Sequence, residues 1–239
     1  NATTPATAPD MGADEFGGLI LDQTAPEIIF PPLLNTSMTG DRILTTTIVD
    51  PSGVATSGIS LPVAYWKINS GAWTPATATW VSGSTYTFTF GSGALLNDNV
   101  YYYIVAEDQA AGAANVGSNP MIGAAGFSAH PPACATPPTT PATYKIVGTL
   151  SGLYTVGVGK DYATLTAAIA DLNLKEVVGP VTFELWDATY SGYETFPITI
   201  NNYLGVSASN TVLIRPAAGV VSTVTGTASS GILRLNGCQ

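Results

Sequence analysis

The side chains able to act as a nucleophile or a general base are few in this sequence of 239 residues. Its single histidine, His130, precedes two prolines in a stretch without hydrophobic periodicity, so no packing is expected to position the imidazole as a base. The acids Asp187 and Glu194 flank a turn, and two carboxylates can hydrolyse a glycosidic bond. Solubilising acids on an exposed loop are the competing interpretation. We therefore predict no catalytic residues in this chain.

Three other acids, Asp50, Asp98 and Asp108, lie next to predicted strands and could meet at one end of a sheet. Calcium is bound by several converging hard oxygens, which carboxylates supply. Asp is equally common in turns, because its side chain bonds the nearby backbone. The sequence favours the turn interpretation. No cofactor is therefore predicted, and the three acids are kept as candidate calcium ligands.

Two tryptophans, Trp73 and Trp80, flank a predicted hairpin where their rings could be exposed. An aromatic face suits the apolar face of a sugar ring, so both are candidate glycan contacts. Ordinary packing between neighbouring strands is the alternative.

The two cysteines, Cys134 and Cys238, are far apart, and neither belongs to a CxxC or Cys/His motif. This spacing gives no support for a zinc or thiol redox site. An exported chain can form a disulfide between them, and two inert thiols are the alternative.

Charged residues make up only 10% of the chain, against roughly 25% in ordinary soluble domains. The net charge of −9, from 7 basic and 16 acidic residues, excludes a nucleic-acid surface and disfavours an anionic membrane. No apolar run approaches the ~20 residues of a membrane span, so no membrane insertion is expected. Hydrophobic residues (46%) suffice for a core, while 25 Gly and 17 Pro indicate short strands joined by turns.

The first half of the chain contains short alternating runs, each followed by a turn signal. The run at 42–49 ends in an Asp-Pro-Ser-Gly turn, and the run at 61–68 is followed by Asn-Ser-Gly. Alternation in the run at 100–108 predicts four inward residues: Val100, Tyr102, Ile104 and Ala106. About seven such strands over a hundred residues are typical of an antiparallel β-sandwich.

Four segments of this half carry a resemblance to a known group: residues 24–26 (TAP), 50–54 (DPSGV), 65–68 (YWKI) and 100–108 (VYYYIVAED). They resemble the immunoglobulin-like or fibronectin III-like modules of bacterial surface proteins. The resemblance covers residues 22–129 and implies an antiparallel sandwich. Residues 130–143 are rich in Pro and Thr, and we predict that they form a semi-rigid linker.

A helix is predicted over 162–174, with Asp161 or Thr164 as its N-cap. Its apolar face falls at i, i+3, i+4 and i+7: Leu165, Ala168, Ile169 and Leu172. Gly179 and Pro180 are expected to end the helical segment. Strands predicted at 181–186, 196–200, 212–215 and 232–235 follow at spacings near those of solenoid coils.

Several segments of this second half carry a further resemblance: residues 154–157 (YTVG), 161–165 (DYATL), 167–172 (AAIADL), 179–185 (GPVTFEL), 189–190 (TY) and 214–219 (IRPAAG). They closely resemble the beginning of right-handed parallel β-helix domains of the pectin-lyase-like type, over residues 144–239. In that family the helix covers the open end of the first coil. Residues 10–16 (DMGADEF) are similar to the segment closing the far end of such β-helices, so 1–21 is predicted as the tail of a preceding module. The chain is thus expected to be part of a longer protein.

The predicted fold class is all-β: an antiparallel immunoglobulin-like sandwich followed by the N-terminal part of a right-handed parallel β-helix with one capping helix. This order resembles large exported surface proteins of Bacteroidota-type bacteria, often secreted by the type IX route. It implies a non-catalytic structural or adhesive module, located outside the cell, whose partners are other modules, further copies of the protein, or surface glycans. A polysaccharide lyase or glycoside hydrolase with its active site in later coils is one alternative, and a carbohydrate-binding module is another.

Overall fold

The structure is a computed structural model that describes residues 22–237. The predicted tail at 1–21 and Cys238 lie outside these residues. Over the described part the chain is all-β with one helix, and its strands form antiparallel sheets first and parallel ladders afterwards. This confirms the all-β class and the antiparallel sheets predicted from the sequence.

The first sheet has the strand order β1-β2-β6-β5. Its strands are β1 (Glu27–Ile29), β2 (Arg42–Val49), β5 (Thr79–Ser82) and β6 (Thr85–Phe90). The residues of β2 alternate between faces, because Leu44, Thr46 and Ile48 are buried while the intervening side chains are exposed. One face of this sheet therefore contributes to a core and the other faces solvent.

The second sheet has the order β11-β7-β3-β4, with β8 also paired to β7. Its strands are β3 (Val63–Ile68), β4 (Thr74–Thr77), β7 (Asn99–Glu107), β8 (Val116–Asn119) and β11 (Ala142–Lys145). The four residues of β7 predicted to point inward are all fully buried. They share a core with β2 and β6 of the first sheet, in which Phe90 packs against Tyr102 with ring centroids 5.2 Å apart.

Residues 130–143 differ from the predicted linker. They contain β10 (Ala133–Thr136), which pairs with β9 (Ala125–Ser128), and they lead into β11, which pairs with β7. Tyr144 and Ile146 belong to the core of the antiparallel sheets. The prolines hide this from a periodicity argument, because they interrupt the alternation without preventing short strands on a sheet edge. The antiparallel part therefore reaches Ile146.

Parallel ladders build the second half. The first joins β12 (Thr149–Val156), β13 (Glu176–Leu185) and β16 (Val212–Pro216), in that order. Two shorter pairs join β14 (Thr189–Tyr190) to β17 (Thr223–Val224) and β15 (Ile198–Asn201) to β18 (Leu233–Asn236). β13 begins before the predicted 181 and runs through Gly179 and Pro180, because a register shift opposite Leu150 and Gly152 accommodates the extra residues.

The helix α1 spans Leu165–Leu172, two to three residues shorter at each end than predicted. Thr164 is its N-cap, and the Thr164 side chain accepts a hydrogen bond from the Ala167 N–H. All four residues of the predicted apolar face are buried in a second core with β12, β13 and β15. The helix therefore closes one side of the parallel ladders. No helix within residues 22–237 is long and apolar enough to cross a membrane.

Candidate binding groove and the acidic residues

The acids Asp187 and Glu194 both hold backbone groups. Glu194 accepts hydrogen bonds from the Leu165 and Thr166 N–H groups at 2.8 and 2.6 Å, which satisfies two unpaired donors at the start of α1. Asp187 accepts from the Val158 N–H at 2.9 Å. Both carboxylates therefore hold backbone segments in place by accepting their N–H groups. They are more than solubilising acids on an exposed loop.

His130 is held by a buried acid. Its Nδ1 lies 2.8 Å from Ser60 Oγ and 2.7 Å from Glu107 Oε1, and Glu107 Oε2 accepts the His130 backbone N–H at 2.9 Å. The close approach of Oε1 to Nδ1 is not aligned as a hydrogen bond. In a catalytic triad the hydroxyl and the acid meet opposite ring nitrogens, whereas here both meet Nδ1. The arrangement fastens the 130–131 turn to β7 and does not assemble a nucleophile.

Sequence reasoning placed His130 in solvent and missed Glu107. The imidazole is largely exposed, with 61% of its side chain accessible, but the Glu107 side chain is completely buried. Residues 102–106 before it form a continuous buried run, so the last part of β7 is covered on both faces. An alternating pattern predicts only one buried face, so it gave no signal of a buried acid at the strand end.

Two of the three candidate calcium ligands come together, and the third does not. Asp50 and Asp108 meet Asp22, with ligand atoms that all lie within 4.8 Å of one another. Asp98 lies elsewhere and accepts hydrogen bonds from Asn69 Nδ2 at 2.7 Å and from the Leu95 N–H at 2.8 Å. Asp22, which precedes β1 by several residues, was not among the ligands predicted from the sequence.

Hydrogen bonds within the loops occupy most of this acidic cluster, Asp22, Asp50 and Asp108. Asp22 accepts from the hydroxyl and N–H of Thr24 and from the Ser52 hydroxyl, and these bonds hold the Asp22 pKa far below its ordinary value. Burial raises the pKa of Asp50, whose Oδ2 has no hydrogen-bond partner. The bonding pattern is that of turns, and calcium at these residues stays a prediction.

Cys134 lies half-buried on β10 and forms no disulfide within residues 22–237. Burial raises its pKa, so the thiol is protonated at neutral pH and is a poor nucleophile. Cys238 lies outside the described residues, and the disulfide between the two stays a prediction.

A groove opens on the outer face of the second sheet. Its volume is about 550 Å³, and we call it the Lys67 groove. It is lined by Lys67, Asn69, Ser70, Trp73, Tyr101, Pro137, Pro138, Thr139 and Pro141. Lys67 and Tyr101 are direct cross-strand partners on β3 and β7, and Trp73 stands just before β4. The prolines come from the segment between β10 and β11.

The ammonium group of Lys67 lies between two aromatic rings. Its Nζ is 4.7 Å from the centroid of Trp73 and 5.8 Å from that of Tyr101, which are cation–π distances. Trp73 in turn meets Tyr103 edge-on, with ring centroids 4.8 Å apart. These contacts hold the lysine side chain in place at the floor of the groove.

Of the two candidate glycan contacts, only Trp73 lines this groove. Trp80 lies on β5, an edge strand of the other sheet, and is 42% exposed. Its Nε1 donates to the Gly83 carbonyl at 2.9 Å. Sequence reasoning could identify Trp73, but it could not foresee the groove, because the proline wall arises from residues predicted to be a linker.

Comparison with known proteins does not assign this chain to a family. A scan against protein-family models finds no match to this chain, and a search of curated proteins finds no significant relative.

Proposed function

We propose that this chain is a non-catalytic structural and adhesive module of a large secreted bacterial cell-surface protein or extracellular filament. In this proposal an immunoglobulin-like sandwich leads directly into the first coils of a right-handed parallel β-helix. The observation that carries the proposal is the set of parallel ladders in the second half.

Each ladder pairs strands about one solenoid coil apart. In the longest one, Phe183 of β13 pairs with Tyr154 on one side and with Ile214 on the other, so like positions stack. The pairs β14–β17 and β15–β18 repeat the same parallel relation. Stacked coils bury a continuous core that no single coil could bury alone, which suits an extended, load-bearing rod.

The junction between the two halves also supports a structural role. Glu176 at the start of β13 accepts a hydrogen bond from the Ser37 N–H at 2.5 Å and one from the Thr36 hydroxyl at 3.3 Å. Thr36 bonds the backbone on both sides of Ile146 as well, through Lys145 and Val147. A spacer built this way would transmit force between the halves without a flexible hinge.

The non-catalytic part is tested by incubating the intact native protein with acidic polysaccharides and following the absorbance of unsaturated products. We expect no turnover above a heat-inactivated control. Turnover that depends on the native protein would overturn the structural proposal in favour of a polysaccharide lyase.

Electron microscopy of the same protein tests the structural part. We expect rods or filaments whose width matches a stack of β coils. Isolated globular particles without elongation would contradict the stalk or filament role.

A further inference from the structure

The Lys67 groove contains a positively charged side chain that pairs with no carboxylate within residues 22–237. We propose that it binds a carboxylate-bearing saccharide, with the carboxylate on the Lys67 ammonium and the sugar ring along the aromatic and proline walls. This deepens the adhesive part of the proposed function by naming its ligand class, and it does not depend on the filament part.

The basic side chains of the chain differ in their partners. Lys175 pairs with Asp171 at 2.7 Å and Arg215 with Glu184 at 3.1 Å. Lys67 is one of five basic side chains that take part in no ion pair within residues 22–237, and it is the one that lines this groove, where aromatic rings hold it. The chain as a whole carries a net charge of −9. A half-buried cation fixed in a groove of an acidic protein is complementary to an anion, and a charge-assisted bond to carboxylate would complete its coordination.

The walls of the groove match an amphipathic ring. Trp73, Tyr101 and the prolines present flat apolar surface, while Ser70 and Thr139 add hydroxyl groups to the lining. The amide of Asn69 also lines the groove and is held by Asp98 and the Asn99 N–H. A pyranose has the same division, with C–H groups on its faces and hydroxyls around its edge. A volume of about 550 Å³ lies in the range of small-molecule sites.

The position of the groove in the sheet favours a saccharide over an acidic peptide. One common way for an extended peptide to bind is to add a strand to a free sheet edge. The strands under the groove, β3 and β7, are each paired on both sides and offer no free edge. Recognition must therefore come from side chains, as it does for sugars.

The experiment titrates the chain with trigalacturonate by isothermal calorimetry. We expect saturable binding, with little or none for the fully methyl-esterified trisaccharide, which lacks the carboxylates. Lys67→Gln should weaken binding about tenfold or more, because a hydrogen bond between charged groups is worth about 1.5–3 kcal/mol. Lys67→Arg should retain most of the binding. Lys145→Gln is the matched control for loss of one positive charge elsewhere, and it should change nothing.

The aromatic wall is tested with Trp73→Leu, which should also weaken binding, against Trp80→Phe, which should not. Thermal melts check that each variant is folded. If Trp73→Leu does not fold, the triple variant Trp66→Phe, Trp80→Phe and Trp186→Phe leaves Trp73 as the single tryptophan of the chain. Its fluorescence should then change on titration with trigalacturonate.

Several results would overturn the proposal. These are equal binding of the esterified trisaccharide, equal binding of a hexaglutamate peptide, unchanged affinity in Lys67→Gln, or no binding to trigalacturonate at millimolar concentration. A compact particle in electron micrographs would leave this site unaffected, so failure of the groove and failure of the filament proposal are distinguishable.

Discussion

At the scale of single residues, the acids of this chain mainly hold the backbone. Glu194 binds the first turn of α1, Asp187 binds the loop after β12, and Asp108 accepts hydrogen bonds from Asn115. The same residue types, above all Asp, form turns and take part in catalysis or metal binding. A carboxylate that holds a loop therefore cannot be told from a functional one by its sequence alone. This explains why the sequence could place these acids near turns but could not assign their partners.

Removing the Glu194 carboxylate should destabilise the parallel half. In Glu194→Ala the Leu165 and Thr166 N–H groups at the start of α1 lose their acceptors, which should lower the free energy of unfolding by about 1–3 kcal/mol. Urea unfolding monitored by circular dichroism measures this change. Glu27→Ala, at an exposed position on β1, is the control and should have almost no effect. Equal stabilities of the two variants would refute the capping role.

Asp50 and Asp22 should respond to pH with opposite signs. Burial raises the Asp50 pKa, so the ionised form opposes folding above the pKa of the unfolded chain. Asp50→Asn should therefore raise stability at neutral pH by about 0.5–2 kcal/mol, and the gain should vanish in acid. Hydrogen bonds lower the Asp22 pKa, so Asp22 stabilises the fold above its unfolded pKa, and Asp22→Asn should lower stability at neutral pH.

Thermal melts between acidic and neutral pH measure both effects in metal-free buffer. The same sign for the two variants at neutral pH would contradict the electrostatic account. Adding calcium to the wild type tests the remaining calcium prediction, because an ion that binds only the folded state raises Tm with concentration. A Tm that does not move with calcium would leave the acidic cluster as a set of turns.

At the scale of helices and strands, hydrophobic periodicity predicted which face of an element is buried. The buried face of α1 and the inward residues of β7 follow directly from the 3.6 and 2.0 repeats. Periodicity failed at β10 and β11, where prolines flank short strands, and at β13, where a register shift absorbs extra residues. The Lys67 groove shares this origin, because its second wall belongs to the segment before β11.

Phe183 at the centre of β13 should be the key side chain of the second core. It is fully buried and packs against Tyr154 and Tyr162, with ring centroids 6.0 and 5.9 Å apart. Phe183→Ala should cost about 3–5 kcal/mol by leaving a cavity. Leu153→Ala, on the neighbouring strand but 56% exposed, should change stability by less than about 0.5 kcal/mol. Urea denaturation compares them, and similar midpoints would contradict the assigned core.

At the scale of the whole molecule, two cores are joined by very little chain. Residue 146 belongs to the first core and Leu150 to the second, so only three residues separate them. The connection is braced from the side by Glu176, which reaches Thr36 and Ser37 in the antiparallel half. Contacts between distant parts of the sequence therefore set the relation of the two halves, and no local pattern could have predicted them.

The Glu176 contact should couple the unfolding of the two halves. Glu176→Ala leaves the Ser37 N–H without its acceptor, so the halves should unfold in two separated calorimetric transitions, whereas we expect one for the wild type. Glu184→Ala on the same strand removes only an ion pair with the exposed Arg215, at 3.1 Å, and should keep a single transition. A single transition in Glu176→Ala, unchanged in midpoint, would mean that the short covalent connection and its backbone bonds suffice to make the molecule one cooperative unit.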